Sequence, residues 1–438
     1  MRKTFIAALI ATSFMSLNAN AGDLLQIYKE ALANDAQFRS ARAANVAGQE
    51  RAVQGRSALL PSASFSAGTS RTNSSFDPDR GASVSSTSNT NSMTLSLQQS
   101  LFNMASWEQY EQSKLSVVIA DTQLAQAKQD LILRVSQAYF DVLAAQNVVE
   151  TLQAQKTAVG EQLASAKRNF EVGTQTITDT HEAQSRYDLV LAQEAAAIGS
   201  LDVARAALQQ IIGKDAGSLA SLKTGAKINA PMPAQMGDWV DAAEKQNYNV
   251  VASKVNFEIA QREIKKSRAG HYPTVGLTAS TGRNPATLPV LGSGISRATT
   301  IGVSVTVPVF SGFATDSRIK ESVALEDKAR NDLESSRRIA AQNARQAYVG
   351  VTSGLAQIKG YEAAEISSQS SLDSNKLGYT VGVRINIDVL NAQQQLSTTR
   401  QNLAKARYDT IISGLRLKAA AGTLAESDLN EVNAMLSQ

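Results

Sequence analysis

The sequence is written twice. Gln137-Ala138-Tyr139 recurs as Gln346-Ala347-Tyr348, and Val172-Gly173 followed by Asp179 recurs as Val381-Gly382 followed by Asp388. Ala183-Gln184 recurs as Ala392-Gln393 and Gly213 as Gly422, each 209 positions on. Leu60-Pro61 against Tyr272-Pro273, and Phe102 against Phe310, keep the order with shifts of 212 and 208. A repeat this long is a whole structural unit in tandem, so whatever one half folds into, the chain builds twice. The marks divide it into repeats at 22–213 and 237–422, a linker at 214–236 and a tail at 423–438.

Ahead of the first repeat, Met1-Arg2-Lys3, an apolar run from Phe5 to Leu17 and Ala19-Asn20-Ala21 read as a secretory signal peptide over 1–21. The run is too short for a mature transmembrane helix, and no later stretch reaches the length of about 18 apolar residues that a span needs. A mature chain of this composition enters a membrane only with strands. The absence of cysteine excludes disulfides, thiol catalysis and a lipid-anchored N-terminus. A net charge of +4, two units of it in the leader, is no footprint for nucleic acid. His181 and His271 fall at different points of the repeat and have no metal-ligand spacing around them, so neither a metal nor another cofactor is expected.

Within one unit the period changes twice. Residues 24–58 read as a helix that Pro61 ends. Ala63, Phe65 and Ala67 then alternate with Ser62, Ser64 and Ser66, which predicts a strand over 62–70 with one apolar and one small polar face. A polar loop at 69–91 leads to a second strand at 92–101, and the second copy repeats this with strands at 274–283 and 299–309 around a loop at 284–298. After Phe102, Leu131, Val135, Ala138, Val142, Ala145, Val149, Leu152, Lys156, Val159, Leu163, Ala166 and Phe170 recur at alternating spacings of four and three, a coiled-coil seam with one polar member. The long helix is expected over 105–170 and, after the Val172-Gly173-Thr174 break, a returning helix over 180–212 with its own seam through Ala183, Tyr187, Val190, Glu194 and Ala197. The second copy gives 313–377 and 388–421.

Four strands cannot sit in lipid as an open sheet, because its edge N–H and C=O groups would be unpaired. Closed membrane barrels start at about eight strands. Either several chains complete one barrel, or the strands form a soluble sheet on a helical rod. The apolar-out, Ser/Thr/Gly-in alternation favours the barrel. Phe102, Trp107, Phe310 and Phe313 cluster just past the strands, where either an interfacial aromatic belt or ordinary junction packing would place them.

Leu59-Leu60-Pro61, Gln99-Ser100-Leu101-Phe102, Phe170-Glu171-Val172-Gly173 with Ile177-Thr178-Asp179, Gly378-Tyr379-Thr380-Val381-Gly382-Val383-Arg384 and Asp388-Val389-Leu390-Asn391-Ala392 resemble the TolC family of outer-membrane exit ducts. The resemblance runs through essentially the whole mature chain. It implies a trimer whose three chains complete a 12-stranded transmembrane β-barrel, continued across the periplasm of a Gram-negative bacterium by an α-helical coiled-coil barrel. It also implies outer-membrane lipid around the strands, a periplasmic adaptor, an inner-membrane pump of ABC or RND type, and no enzymatic activity. A surface adhesin, also trimeric and coiled-coil rich, is the rival, but adhesin strands lie at the C-terminus and those here are internal.

The resemblance further assigns a gate at the helix tips to Thr178, Asp179, Tyr379 and Arg384, with Arg384 and Tyr379 partnering Thr178 and Asp179. It assigns adaptor docking to the turns at Gly173 and Gly382. Two acidic positions per chain would ring the pore; Asp388 fills the first and Asn391 replaces the second, so three carboxylates per trimer are expected instead of six, with a weaker cation preference. Without the resemblance, Arg384 and Asp179 read as an ordinary surface ion pair.

Overall fold

A computed structural model of the chain describes residues 22–223, 225–288 and 292–437. The expected signal peptide at 1–21 lies outside them. The first repeat runs α1 (Leu24–Asn34), α2 (Ala36–Ser57), β1 (Ser62–Phe76), β2 (Val84–Phe102), α3 (Met104–Glu171) and α4 (Ile177–Ile212). The second runs α5 (Met236–Gln246), α6 (Tyr248–Arg268), β3 (Thr274–Leu288), β4 (Gly292–Thr306), α7 (Ala314–Thr380) and α8 (Asn386–Ala420), with α9 (Glu426–Asn433) in the tail.

The helix expected over 24–58 is two helices broken at Asp35. Asp35 leaves helical geometry at ψ 118° and accepts the Phe38 N–H at 2.8 Å. Capping a new helix there satisfies an N–H group that would otherwise be orphaned. Arg134 of α3 forks onto the same carboxylate at 2.7 and 3.3 Å. Asn247 fills the matching place in the second copy, capping α6 and donating its side-chain amide to the Ala420 carbonyl at 3.0 Å.

Asp35 is nearly buried. Burial pushes its carboxyl up, but the hydrogen bonds from Arg134 and the Phe38 amide and the Arg134 charge prevail, and its pKa lies below the usual value. A depressed folded pKa contributes stability above the unfolded value of about 3.9 and loses it as pH falls through the folded value. Asp35→Asn is therefore expected to melt below wild type at pH 6, with the gap closing as the pH falls below the unfolded value of about 3.9, in thermal melts of the detergent-solubilised protein. A gap that stays constant with pH would show that the carboxylate charge contributes nothing.

The strands outrun their expected limits. The loop expected at 69–91 shrinks to 77–83, and β3 and β4 reach to Leu288 and from Gly292 into the loop expected at 284–298, while β4 stops at Thr306. Beyond Gly68 the residues on both faces of β1 and β2 are polar up to the end pair Phe76↔Val84, so no alternation marks them; backbone pairing from Thr69↔Asn91 onward holds them instead. Strands of 15 residues exceed the 9–11 or so that a bilayer crossing takes.

The four strands form one antiparallel sheet in the order β1-β2-β3-β4, with the repeats joined at β2–β3. Ala63↔Leu97, Phe65↔Leu95, Leu97↔Ala279 and Ala279↔Ile301 lie across it on one face. Ser64↔Ser96, Ser96↔Ser280 and Ser280↔Thr300 lie on the other. Phe65, Leu95, Ile301 and Val303 are all half or more exposed, an apolar face with nothing of this chain upon it. Phe102, Trp107, Phe310 and Phe313 are likewise exposed at the end of the sheet.

Below the sheet, α3 of 68 residues and α7 of 67 each extend roughly 100 Å at 1.5 Å per residue. They pack against α4 and α8 as two antiparallel pairs. Leu131, Val135, Val142, Val149, Leu152, Val159, Leu163 and Ala166 of the expected seam are buried, and Phe170 at its end is not. The duplicated tyrosines explain their own recurrence. Tyr139 donates its hydroxyl to the carbonyls of Ala220 (2.7 Å) and Gly22 (3.2 Å), and Tyr348 donates to that of Ala234. Each ties the inter-repeat connector to a long helix. The tail adds Leu429, Val432 and Leu436 to the core around Tyr139.

Lys156, the polar seam residue, meets Glu194 of the facing seam at 2.6 and 2.8 Å, the carboxylate being 10% exposed. Removing one partner strands the other charge, at a cost of about 3 kcal/mol or more, whereas replacing both with apolar residues is near neutral. Urea melts should show Glu194→Leu strongly destabilised and Lys156→Met/Glu194→Leu close to wild type. Equal destabilisation of the two would exclude a stranded-charge effect.

Candidate gate at the helical tips

The far ends of the helix pairs are two turns built alike. In the first, Thr174 N and Gln175 N donate to the Asn169 carbonyl; in the second, Val383 N and Arg384 N donate to that of Gly378. Gly173 (φ 76°) and Gly382 (φ 81°) take the left-handed conformation that closes each turn, and no atom lies within 4 Å of where a Cβ would stand on either. Val172, Val381 and Val383 beside them are exposed. Each turn is thus a bare notch with an apolar rim.

Tyr379 is joined across the two repeats. Its hydroxyl accepts from Gln175 at 2.6 Å and from Asn169 at 3.5 Å, so the end of α7 is tied to the α3–α4 turn. Arg384 folds back over Gly378, whose missing Cβ leaves room for the Arg384 side chain, and its guanidinium stands 3.6 Å from Asp388 one turn into α8. Within one chain Arg384 does not reach Thr178 or Asp179. Asp179 instead caps its own helix, accepting from the Thr176 amide and hydroxyl at 3.1 and 2.9 Å, and Thr178 is exposed. Both outcomes are local: the first turn of α4 has unpaired N–H groups, and Arg384, in the turn just before α8, lies only four residues from Asp388 in the first turn of that helix. Among the described residues, the hydrogen bond that joins Asp179 to the second repeat is to its backbone carbonyl, which accepts from Asn386 at 3.4 Å.

Asp388 is half-buried and Asn391 exposed on α8. Asn391 accepts from the guanidinium of Arg186 on α4 at 2.9 Å, a partner 205 residues away that no local pattern marks.

Above the tip, one side of α3 carries a row of uncharged amides, each bonded to the second repeat. Gln137 accepts from Arg416, Asn147 donates to Tyr408, Gln155 donates to Gln394 (2.6 Å) and Gln162 donates to Asn386. Asn169, donating to Tyr379, is the last rung. The final three rungs fall seven residues apart, the spacing that keeps a supercoiled helix facing one neighbour. The hydrophobic seams were legible because they are apolar; this row, being Gln and Asn on a polar helix, was not.

An exposed apolar sheet face, two bare sheet edges and two long antiparallel coiled-coil pairs define one segment of a β-barrel channel of the outer membrane, with its helices reaching into the periplasm. No described helix is long and apolar enough to cross a membrane, and no metal-holding cluster occurs among the described residues. The chain belongs to the outer membrane efflux protein family, whose profile matches it twice, at 27–214 and 239–423. The protein is an outer-membrane exit duct of this family. It is 34% identical to outer membrane protein TolC of Vibrio cholerae serotype O1, over 99% of this chain and 97% of that protein. It is 32% identical to the alkaline protease secretion protein AprF of Pseudomonas aeruginosa, over 94% of this chain and 86% of that one. The solved CmeC outer membrane channel of Campylobacter jejuni superposes with a TM-score of 0.79 at 18% identity, covering 95% of this chain and 90% of that one. Internal strands paired across two repeats are foreign to a surface adhesin.

Proposed function

We propose that three copies of this chain close into one duct, with twelve strands in the outer membrane and twelve long helical segments below. The observation that carries it is the four-stranded sheet with an exposed apolar face and bare edges at β1 and β4. Hydrocarbon tolerates no unpaired edge, and four is below the barrel minimum of about eight. Joining β4 of one copy to β1 of the next removes every edge.

The tips shut the duct. Tyr379 with Gln175 and Asn169 holds the two helix pairs of one chain together. Arg384, held loosely by Asp388 and mostly exposed, faces Thr178 and Asp179 of the next copy. The notches at Gly173 and Gly382 receive a periplasmic adaptor, which couples the duct to an ABC- or RND-type inner-membrane pump. The efflux family and the protease-secretion relative support a duct that passes small molecules or proteins without chemistry of its own. Native mass spectrometry and planar-bilayer recording test the reading together. A three-chain species that inserts and conducts is expected; a monomer without channel activity overturns it.

A further inference from the structure

We propose that Arg186 sets the charge preference of the constriction, an inference that rests on the duct reading above. Asp388 and Asn391 stand one turn apart on α8, and the ends of α4 and α8 lie side by side, packed through Ala183, Tyr187, Ile387 and Leu390. The charged groups at this junction are Arg186, Arg384, Asp179, Glu182 and Asp388. Asp179 is taken up by its helix cap and Asp388 faces Arg384. Glu182, one turn before Arg186, makes no ion pair within 4 Å among the described residues, and neither does Arg186. Arg186 instead spends one N–H on a neutral oxygen, Asn391 Oδ1 at 2.9 Å, in an exposed contact.

An amide oxygen orients the guanidinium without cancelling its charge. A carboxylate at 391 would cancel it. The pairing of Arg186 with Asn391 therefore leaves a cation without an ion pair one turn along α8 from Asp388, a carboxylate that itself faces an arginine. Repeated around a ring of copies, one guanidinium per subunit without an ion pair stands beside residue 391, and the passage favours anions relative to the same passage without it. A narrow passage concentrates the field of such groups on passing ions.

The test is the reversal potential of reconstituted channels in a salt gradient. Arg186→Gln is expected to raise the cation-over-anion permeability ratio about 2- to 5-fold, as removal of one focused charge per subunit requires. Arg186→Lys, which keeps the charge and loses the fork, should stay near wild type. Asn391→Asp alone should move the ratio less than Asn391→Asp with Arg186→Gln, because Arg186 neutralises the new carboxylate in the first and not in the second. If Arg186→Gln changes the conductance but leaves the reversal potential in place, Arg186 is only a clasp and the inference fails. If the wild-type protein forms no channel, the duct reading fails first.

Discussion

Tyr379→Phe combined with Arg384→Ala will raise the resting single-channel conductance about 5-fold or more, with the trimer intact. Tyr379 takes two hydrogen bonds from the first repeat, and its loss also leaves the amides of Gln175 and Asn169 without their acceptor. Each such bond is worth about 0.5–1.5 kcal/mol, more where a charged group takes part. Three copies of two contacts sum to several kcal/mol, and a shift of about 5.5 kcal/mol is enough to reverse a 99:1 equilibrium. The helices are held elsewhere by buried seams and the amide row, so the change is expected at the tip and not in assembly. Planar-bilayer recording of the purified variant gives the answer. Wild-type conductance from an intact trimer would place the closing contacts elsewhere.

Gly422→Ala will cost far more than the same change at its repeat mate Gly213. Both have φ near +77°, where any side chain is strained by about 1 kcal/mol. A Cβ on Gly422 would come within 2.7 Å of the Gln246 carbonyl carbon, which is backbone and cannot swing aside. A Cβ on Gly213 meets the Asn34 side chain at 3.3 Å, a contact that a small shift relieves. Gly422 ends α8 where α5 turns into α6, so the clash would push the second repeat's helices apart. Backbone displacement of this kind belongs with the rare losses of about 4–5 kcal/mol, whereas Gly213→Ala should stay near 1–2 kcal/mol. Melting and trimer yield on mild gels report the difference, and equal losses at the two sites would refute the argument.

Much of the architecture was legible in the residues. Duplication, strand pairs and seams all came from periodicity, since burial of one face forces an apolar residue at regular intervals. What escaped was polar. The outer halves of β1 and β2 are polar on both faces up to their end pair and show no alternation. The break at Asp35 depends on a cap and on Arg134, which stands 99 residues away in sequence. At the tip, Tyr379 and Arg384 were named only through resemblance. Their partners inside the chain, Gln175 and Asp388, came from geometry, and Arg186 had no sequence signal at all. Lys156 and Glu194 were visible as blemishes in two seams, but only the fold showed that one answers the other.

The amide row along α3 has a consequence for where this protein works. The periplasm shares small ions with the surrounding medium, so its saltiness and acidity follow the weather outside the cell. Bonds between charges weaken as salt rises, over a screening length that shrinks from about 30 Å at 0.01 M to about 3 Å at 1 M. Amide and phenol groups carry no charge to be screened and do not titrate near neutrality. A joint sewn from Asn147, Gln155, Gln162 and Asn169 keeps the same grip in fresh water and in brine. Along that joint, though not at the ion pairs of Asp35, Lys156 and Arg384, the duct holds alike in every medium.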